Sequence, residues 1–364
     1  MLKPNYHNNI LNVISSIEKY YGINNPNPTL PLLDNLLKKN YQNVVLMVFD
    51  ALGNYNLEKF PDLTKDLIDH RQTIIDSVFP PTTAAATTTL ESGLSPAQHC
   101  WLGWSVHFKE IDANVNVFIN NNSDSQVSYS YPVADTYIPY KKTIDKINEL
   151  KQVQADSISP FGTIPYDGLE EMFDKIKNLC QDDQKRYLYV YHNEPDHSMH
   201  HHGITSQQVQ KQLKSINDQV TEFTTNMKNT LVIVLADHGH IDCEPLKISD
   251  YPDFVDTLKC LPSIEPRAIN LFVKDGQNSE FLALYQKYFS QDFLLLSKDE
   301  VIKEKLFGDS FKNMRYTDYL GDYLMIATNK KTLFNNDQQA EEMIGVHAGL
   351  TTEELQVPLL IYKS

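Results

Sequence analysis

The sequence predicts an α/β fold in which helices flank a doubly wound, mainly parallel sheet. Apolar runs with strand character alternate along the chain with segments of helical periodicity, which is the pattern of successive βαβ units. Acidic, histidine and threonine side chains follow these runs closely, as expected where loops leave the carboxyl ends of parallel strands. A chain of 364 residues exceeds a single small domain. We therefore predict one large domain over residues 1–364, with a small inserted α/β subdomain or lid over residues 241–340.

The elements follow in order from these patterns. The strand-like runs assigned to the main sheet are Val44–Phe49, Thr73–Phe79, Tyr187–Tyr191, Leu231–Leu235 and Val357–Tyr362. The helical patterns around them are Asn8–Tyr21, Leu30–Lys39, Lys142–Leu150, Gly168–Leu179 and Ser206–Met227. The predicted lid has strand-like runs at Ala268–Lys274 and Tyr323–Thr328 and helical patterns at Glu280–Phe289 and Asp299–Phe307.

Composition and charge limit the partners. The formal net charge of −15 argues against nonspecific binding to nucleic acid or an anionic membrane, which requires clustered lysine and arginine. The first residues lack the apolar core of a secretory signal, and no apolar run is long enough for a membrane span, so we expect a cytoplasmic protein. The four cysteines are widely spaced, which predicts reduced thiols. The sequence leaves the oligomeric state open.

Possible metal ligands follow most of the apolar runs. The candidates are Asp50, Asp196, His200, Asp237, His238 and His347. In EPDHSMHHHG, Asp196 and His200 are spaced i, i+4, which places both on one face of a helical turn. By spacing alone, His197, His201 and His202 are possible ligands too. Each residue also has a structural role as an alternative to metal binding. An aspartate can cap a helix, and a histidine can be a buried or a solvated imidazole. Their convergence on one sheet edge favours a site for divalent ions of the zinc type.

A threonine pair opens a helix after the second strand-like run. In FPPTTAAATTTLESG, Pro80 and Pro81 end the strand, and either Thr82 or Thr83 begins the helix. A threonine in this position is often only a cap. Beside a metal ion, its hydroxyl can become a nucleophile, and the helix N-terminus favours a phosphate next to it. Two ions about 4 Å apart can hold the attacking and leaving oxygens of an in-line phosphoryl displacement.

These segments together resemble the alkaline phosphatase superfamily, and in particular its type I phosphodiesterase/nucleotide pyrophosphatase family. The resemblance runs from about residue 43 to the end and rests on FDALG, FPPTTAAATTTLESGLSPAQH, EPDHSMHH, LADHGH and GVHAGLTTEELQVPLLIY. It implies an alkaline-phosphatase-like fold with two zinc sites, one made by Asp50, Thr83, Asp237 and His238 and the other by Asp196, His200 and His347. It also implies that Thr83, rather than Thr82, attacks phosphorus to form a phosphoryl-threonine intermediate, which water then hydrolyses. Manganese or iron would also fit such ligands.

The pocket region departs from that family. Where the nucleotide pyrophosphatases carry an asparagine that hydrogen-bonds the phosphate, this sequence aligns Trp104, whose indole donates only one hydrogen bond. Trp101 and Trp104 are candidate substrate contacts that could stack a base or line an apolar pocket, and packing in a core is the alternative. His240, two residues after His238, is expected to lie in the loop or to support a ligand rather than to bind metal.

The sequence therefore predicts a hydrolase that cleaves a phosphodiester or pyrophosphate in a small phosphorylated substrate, with a nucleotide as one candidate. A sulfatase would need a C/S-x-P-x-R segment, and the threonine region has no arginine. Phosphonoacetate-hydrolase-like or phosphomonoesterase activity on the same site stays open, because the motifs do not distinguish them. A non-catalytic, metal-stabilised binding protein is the second alternative, although it would have no use for a threonine hydroxyl that faces the metal.

Overall fold

The computed structural model describes residues 2–311 and 314–364. Its strands are, in chain order, β1 Asn43–Phe49, β2 Arg71–Asp76, β3 Ser105–Phe108, β4 Ala113–Asn116, β5 Asn121–Asn122, β6 Gln154–Ile158, β7 Arg186–His192, β8 Thr230–Leu235, β9 Ile241–Asp242, β10 Glu244–Lys247, β11 Ser263–Glu265, β12 Ala268–Leu271, β13 Phe293–Ser297, β14 Tyr323–Ala327, β15 Lys331–Phe334, β16 Gly345–Val346 and β17 Gln356–Lys363.

Its α-helices are, in chain order, α1 Ile10–Tyr20, α2 Pro31–Leu37, α3 Asn54–Lys59, α4 Lys65–Asp69, α5 Thr83–Ser92, α6 Pro96–His99, α7 Val133–Tyr137, α8 Thr143–Glu149, α9 Gly168–Cys180, α10 Asp196–His202, α11 Gln207–Asn226, α12 Pro252–Val255, α13 Asn278–Tyr288, α14 Lys298–Lys303, α15 Asp337–Glu342 and α16 Thr352–Leu355. None of the helices in this part of the chain has the length and apolarity that a bilayer crossing needs.

The main sheet has the strand order β2-β17-β8-β1-β7-β6. β1 pairs in parallel with β7 and β8, and β6 pairs in parallel with β7, whereas β17 is antiparallel to β8 and β2. β1 and β8 are buried along their whole lengths, which explains their uninterrupted apolar sequences. The predicted mainly parallel sheet flanked by helices is confirmed.

The long helix α11 illustrates how the sequence builds the cover of this sheet. It begins where the Ser206 hydroxyl accepts a hydrogen bond from the backbone N–H of Val209 at 3.3 Å. Its buried side chains recur at the spacing of one helical face, and they are Val209, Leu213, Ile216, Val220 and Phe223. Polar residues occupy the rest of the helix surface. The helix is therefore held mainly by this apolar stripe against the core.

A second sheet, with the order β13-β14-β12-β11-β3-β4-β5, lies outside the main one. Its paired strands are antiparallel. It combines strands of the predicted lid with β3, β4 and β5, because Ile264 of β11 pairs with Ser105 of β3. The division of the chain at residues 241 and 340 stays a prediction, but strands from both sides of residue 241 share this sheet.

Three predicted elements end three or four residues earlier than expected: the second strand, the strand Ala268–Lys274, which ends at Leu271, and the helix Asp299–Phe307. The second strand stops at Asp76, which pairs with Gln356, the first residue of β17. The backbone N–H of Ser77 still donates to the carbonyl of Leu355, the last residue of α16, at 2.7 Å, and its hydroxyl donates to the Asp237 carbonyl. The helix predicted at Asp299–Phe307 ends at Lys303. Lys305 adopts a left-handed backbone conformation with φ of 50°, which a continuing helix cannot contain.

We expect His99 to make the fold sensitive to acid. His99 is buried, its Nδ1 accepts the backbone N–H of Trp101 at 3.0 Å, and burial lowers its pKa to about 3. An unfolded histidine takes up a proton near pH 6.5, so as pH falls from about 6.5 toward 3 the unfolded state gains about 1.4 kcal/mol per pH unit relative to the folded state. With a chelator present, the free energy of unfolding of His99→Gln should fall less steeply with decreasing pH than that of the wild type. The difference in slope should be about 1.4 kcal/mol per pH unit between about pH 6 and 4.5. Equal slopes for the two proteins would contradict this role.

Candidate active site

The aspartates and histidines predicted to bind metal meet at one edge of the main sheet. Asp50 directly follows β1, and Asp237 and His238 follow β8. Asp196 begins α10, which follows β7, and His200 lies one turn later in the same helix. Because β1 is the parallel neighbour of both β7 and β8, the carboxyl ends of the three strands lie side by side.

The two remaining predicted residues reach this edge from other elements. Thr83 is the first residue of α5, after the end of β2. His347 follows β16, and the pairing of β16 with β9 brings it back to the loop after β8. There the imidazole of His347 stacks on that of His238, with ring centroids 4.0 Å apart. The structure thus brings together all seven residues that the sequence predicts as ligands.

Four of them, Asp50, Thr83, Asp237 and His238, form a compact group that we call the Thr83 cluster. His238 Nε2 lies 3.2 Å from Asp50 Oδ1, 3.5 Å from Asp237 Oδ2 and 3.2 Å from Thr83 Oγ1. The Thr83 hydroxyl also donates to Asp50 Oδ2 at 3.4 Å. Asp50, Asp237 and His238 are buried, and Thr83 is half-buried. The cluster therefore has four side chains that could each bind a metal ion. Of these, only the Thr83 side chain, which carries a hydroxyl, is partly exposed.

Hydrogen bonds from the surroundings leave one atom of each side chain facing the centre of the Thr83 cluster. Asp237 Oδ1 accepts the backbone N–H groups of Ala51 and His238, at 3.1 and 2.9 Å, so that Oδ2 faces the cluster. His238 Nδ1 lies 3.0 Å from the Gly239 carbonyl oxygen and donates to it, which leaves the lone pair on Nε2. Tyr191, which the sequence indicates only as a strand residue, donates its hydroxyl to Asp50 Oδ2.

Asp196, His200 and His347 form a neighbouring group that we call the Asp196 cluster. His200 Nε2 lies 3.3 Å from Asp196 Oδ2, and His347 Nε2 lies 3.9 Å from Asp196 Oδ1. His200 Nδ1 donates to the Gly345 carbonyl at 2.8 Å, so the lone pair of Nε2 again points inward. His240, which is expected to lie in the loop or to support a ligand, is completely buried, and its Nε2 lies 3.4 Å from Asp196 Oδ1.

The donor atoms fit divalent ions. Bonds of 2.0–2.1 Å in a tetrahedral site place two ligand atoms about 3.3 Å apart. The distances from His238 Nε2 in the Thr83 cluster, 3.2 to 3.5 Å, and from His200 to Asp196, 3.3 Å, match this spacing, whereas His347 lies farther from Asp196, at 3.9 Å. Among the described residues, Asp50 Oδ1, Asp196 Oδ1 and Asp237 Oδ2 are buried without a hydrogen-bond partner. Buried polar atoms almost always have a partner. Two of the groups able to hold an ion are Asp50 with Asp237 and His238, and Asp196 with His238 and His347.

The electrostatics indicate a shortage of positive charge. Burial and the neighbouring charge of Asp50 raise the pKa of Asp237 well above its ordinary value. Burial disfavours the imidazolium of His238, but the charges of Asp237 and Asp50 outweigh burial and raise the pKa of His238 to about 10. Burial also opposes ionisation of Asp196, yet the charge and hydrogen bond of His200 hold its pKa well below the ordinary range. Bound dications would neutralise these crowded carboxylates and leave the imidazoles uncharged.

Two glycines allow the loops that carry the Thr83 cluster to approach each other. A Cβ on Gly239 would lie 1.9 Å from the Glu353 carbonyl oxygen, and one on Gly53 would lie 2.4 Å from the Gly239 Cα. The sequence predicts Gly239 as a position of tight backbone. The structure gives the reason as close packing against a neighbouring loop, since the φ of Gly239 is not positive.

The threonine pair divides its roles. Thr82 is the N-cap residue of α5, and its hydroxyl donates to Glu265 Oε1 at 2.6 Å. Glu265 Oε1 also accepts the backbone N–H of Trp104 at 2.8 Å. Burial raises the pKa of Glu265 to about 7. Glu265 therefore joins the start of α5 to the loop that carries Trp104, a connection for which the sequence contains no signal.

The two tryptophans differ in exposure. Trp101 is buried in the core of the second sheet, and its indole N–H donates to the Ile138 carbonyl at 3.0 Å. The side chain of Trp104 is 39% exposed, and its ring lies 6.0 Å from that of the exposed Phe118. Of the two predicted substrate contacts, only Trp104 has a side chain exposed to solvent.

Comparisons with known proteins concern the family and the fold. A family model described as "Type I phosphodiesterase / nucleotide pyrophosphatase" matches residues 44–347. A solved structure of murine ectonucleotide pyrophosphatase/phosphodiesterase 5 shares 15% sequence identity, with a TM-score of 0.66 and 87% of each chain covered. The human protein of the same name gives 15% identity, a TM-score of 0.67 and coverage of 88% of this chain and 87% of that one.

A third similar structure is an inactive variant of the murine protein in complex with AMP, at 16% identity, a TM-score of 0.66 and 87% of each chain covered. At such identities the structural likeness establishes the fold alone. A search of curated proteins finds no match.

Proposed function

Because the chain belongs to the type I phosphodiesterase/nucleotide pyrophosphatase family, and is a hydrolase of that kind, we propose that it cleaves a phosphodiester or pyrophosphate through Thr83 at a two-metal site. The observation that carries this proposal is the position of the Thr83 hydroxyl, 3.2 Å from His238 Nε2 and 3.4 Å from Asp50 Oδ2. A threonine whose only role is to start a helix has no need of these neighbours.

Two divalent ions would be held by the Thr83 cluster and by the Asp196 cluster. When bound, they would stabilise the deprotonated hydroxyl and offset the negative charge of the substrate. Zinc is the best match to mixed imidazole and carboxylate ligands, and manganese or iron would also fit. The net charge of −15 makes such neutralisation necessary for an anionic substrate.

The reaction follows from what the side chains can do. Thr83 Oγ attacks phosphorus in line with the leaving oxygen, so that the new bond forms as the ester or anhydride bond breaks. Thr83 lies at the N-terminus of a ten-residue helix, where the free backbone N–H groups and the helix dipole favour the phosphoryl oxygens. Asp50 and Asp237 are held by Tyr191 and by backbone N–H groups, so the cluster is organised before substrate binds. Water then hydrolyses the phosphoryl-threonine.

Removal of metal tests this proposal directly. We expect hydrolysis of bis-p-nitrophenyl phosphate to disappear after dialysis against a chelator and to return with about two equivalents of zinc per chain. The same assay should compare p-nitrophenyl phosphate, phosphonoacetate and p-nitrophenyl thymidine monophosphate as substrates. Preference for the monoester or the phosphonate would replace the diesterase proposal by one of those activities. Zinc binding without turnover of any of them would favour the non-catalytic alternative.

Trp104 is proposed to contact the substrate through its exposed ring. The AMP complex of the murine protein motivates a nucleotide probe, and stacking of an aromatic side chain on a base contributes about 1–3 kcal/mol. Trp104→Ala should therefore lower kcat/KM for p-nitrophenyl thymidine monophosphate about 5- to 150-fold, mainly through KM. The loss should be much smaller for methyl p-nitrophenyl phosphate, which has no base. Equal losses for both substrates would mean that the ring acts on the loop and does not stack a base.

A further inference from the structure

His240 lies within the Asp196 cluster as closely as the predicted ligands do. Its Nε2 is 3.4 Å from Asp196 Oδ1, which matches the spacing of about 3.3 Å between two ligand atoms of one tetrahedral ion. Its ring centroid is 4.7 Å from that of His200 and 5.6 Å from that of His347. Asp196, His200 and His240 also form one of the groups whose donor atoms are close enough to hold an ion. Three imidazoles therefore surround one carboxylate.

The ring nitrogens of His240 are both buried and unpaired. Within residues 2–311 and 314–364, neither Nδ1 nor Nε2 has a hydrogen-bond partner. A neutral imidazole has one donor and one acceptor, and leaving such a group buried and unsatisfied costs about 1–3 kcal/mol. A histidine that only fills a core is expected to pair, as His99 does with the backbone N–H of Trp101. A cation at Nε2 supplies the missing partner for the lone pair that faces Asp196.

The surroundings hold His240 in this orientation. The backbone N–H of His240 donates to Asn56 Oδ1, and the Asn56 amide donates to the His240 carbonyl, each at 3.3 Å. Gly345 makes room for the ring, because a Cβ there would lie 2.6 Å from His240 Cε1. The Gly345 carbonyl also accepts from His200 Nδ1 at 2.8 Å. One glycine thus positions two imidazoles beside the same carboxylate.

We propose that His240 is a ligand of the ion in the Asp196 cluster, together with Asp196, His200 and His347. The inference rests on the proposed function, since it requires this cluster to bind a divalent ion. The ion then has one protein ligand more than the family resemblance implies. Four protein ligands retain zinc more firmly than three, and zinc can still expand to five-coordination to admit water.

The test compares His240→Leu with the wild-type protein and with His202→Ala, which changes an exposed histidine of α10, the helix that carries Asp196 and His200. Zinc per chain is measured by mass spectrometry at a series of buffered free-zinc concentrations, and Tm is measured with and without zinc. Residues that only support a ligand change metal affinity about 10- to 100-fold, so loss of a ligand in His240→Leu should weaken binding of one zinc by more than about 100-fold. A loss within the range of about 10- to 100-fold would assign His240 a supporting role and overturn the inference. His240→Leu should also reduce the rise in Tm that zinc produces. His202→Ala should behave as wild type.

The metal-free protein provides the control for folding. Leucine removes an unsatisfied polar group without leaving a large cavity, so metal-free His240→Leu should unfold at or above the wild-type temperature. Two zincs bound with equal affinity by wild type and His240→Leu would overturn the role of His240 and leave the proposed function intact. A wild-type protein that binds no zinc would overturn the proposed function itself. If the leucine variant does not fold, the cobalt(II) absorption spectrum of His240→Asn decides, and a spectrum identical to wild type would refute the inference.

Discussion

Thr83→Ala is expected to lower kcat for bis-p-nitrophenyl phosphate by about 10³- to 10⁶-fold, because loss of the proposed nucleophile would remove the covalent route and leave only electrostatic stabilisation of the transition state. The alanine keeps the helix start, since Thr82 and not Thr83 is the N-cap residue of α5. The imidazole and carboxylates of the Thr83 cluster remain, so zinc content should stay at about two per chain. Steady-state kinetics and metal analysis on the same sample measure both.

Two further variants sharpen this test. Thr83→Ser keeps a hydroxyl at the same position and should recover a measurable part of the activity. Ser92→Ala removes a hydroxyl from the last residue of the same helix, where it donates to the Thr88 carbonyl, and should leave kcat near the wild-type value. Turnover by Thr83→Ala within about tenfold of wild type would exclude a covalent route through this residue. A variant that lost its zinc would instead assign Thr83 mainly to metal binding.

The sequence predicts the sheet and its site well where both rest on local patterns. The buried strands β1, β7 and β8 have continuous or nearly continuous apolar runs, and the residues after them fall at the shared carboxyl edge of parallel strands. The edge strand β6 is not predicted, because three of its five residues, Gln154, Asp156 and Ser157, are polar and leave no apolar run. Strand character there comes from pairing with β7, which no local pattern records.

The contacts of Glu265 and His240 near the site join distant segments of the chain, which is why the sequence alone does not predict them. Glu265 becomes important only because β11 pairs with β3 and brings its carboxylate to both Thr82 and the loop of Trp104. The His240 ring fits beside Asp196 because Gly345, about a hundred residues later in the chain, has no side chain to occupy that space. Spacing within one segment can propose ligands, but it cannot say which additional imidazole the fold will bury beside them.

The largest effect on stability is expected from Arg267→Met. Arg267 is completely buried, and its guanidinium donates to Glu354 Oε1 at 2.6 Å and to Oε2 at 2.8 Å. It also donates to the carbonyl oxygens of Asn329 and Lys331. Removal of one partner from such a pair leaves a buried, uncompensated carboxylate, which costs about 3–5 kcal/mol. That is a large fraction of the about 5–15 kcal/mol by which proteins of this kind are stable.

The carboxylate of Glu354 also holds the loop after His347. It accepts the backbone N–H of Gly349 and the Thr351 hydroxyl, each at 2.7 Å. The pair with Arg267 therefore links stability to the site.

Urea unfolding of the metal-free proteins should show the full loss of stability in Arg267→Met. Arg267→Met combined with Glu354→Gln should recover part of it, since the unpaired charge is then gone. Lys214→Met, which breaks an exposed pair with Asp218, is the matched control and should cost less than about 0.5 kcal/mol. A loss in Arg267→Met as small as that control would mean that water or another group compensates Glu354, and that the loop carrying His347 is held by its backbone alone.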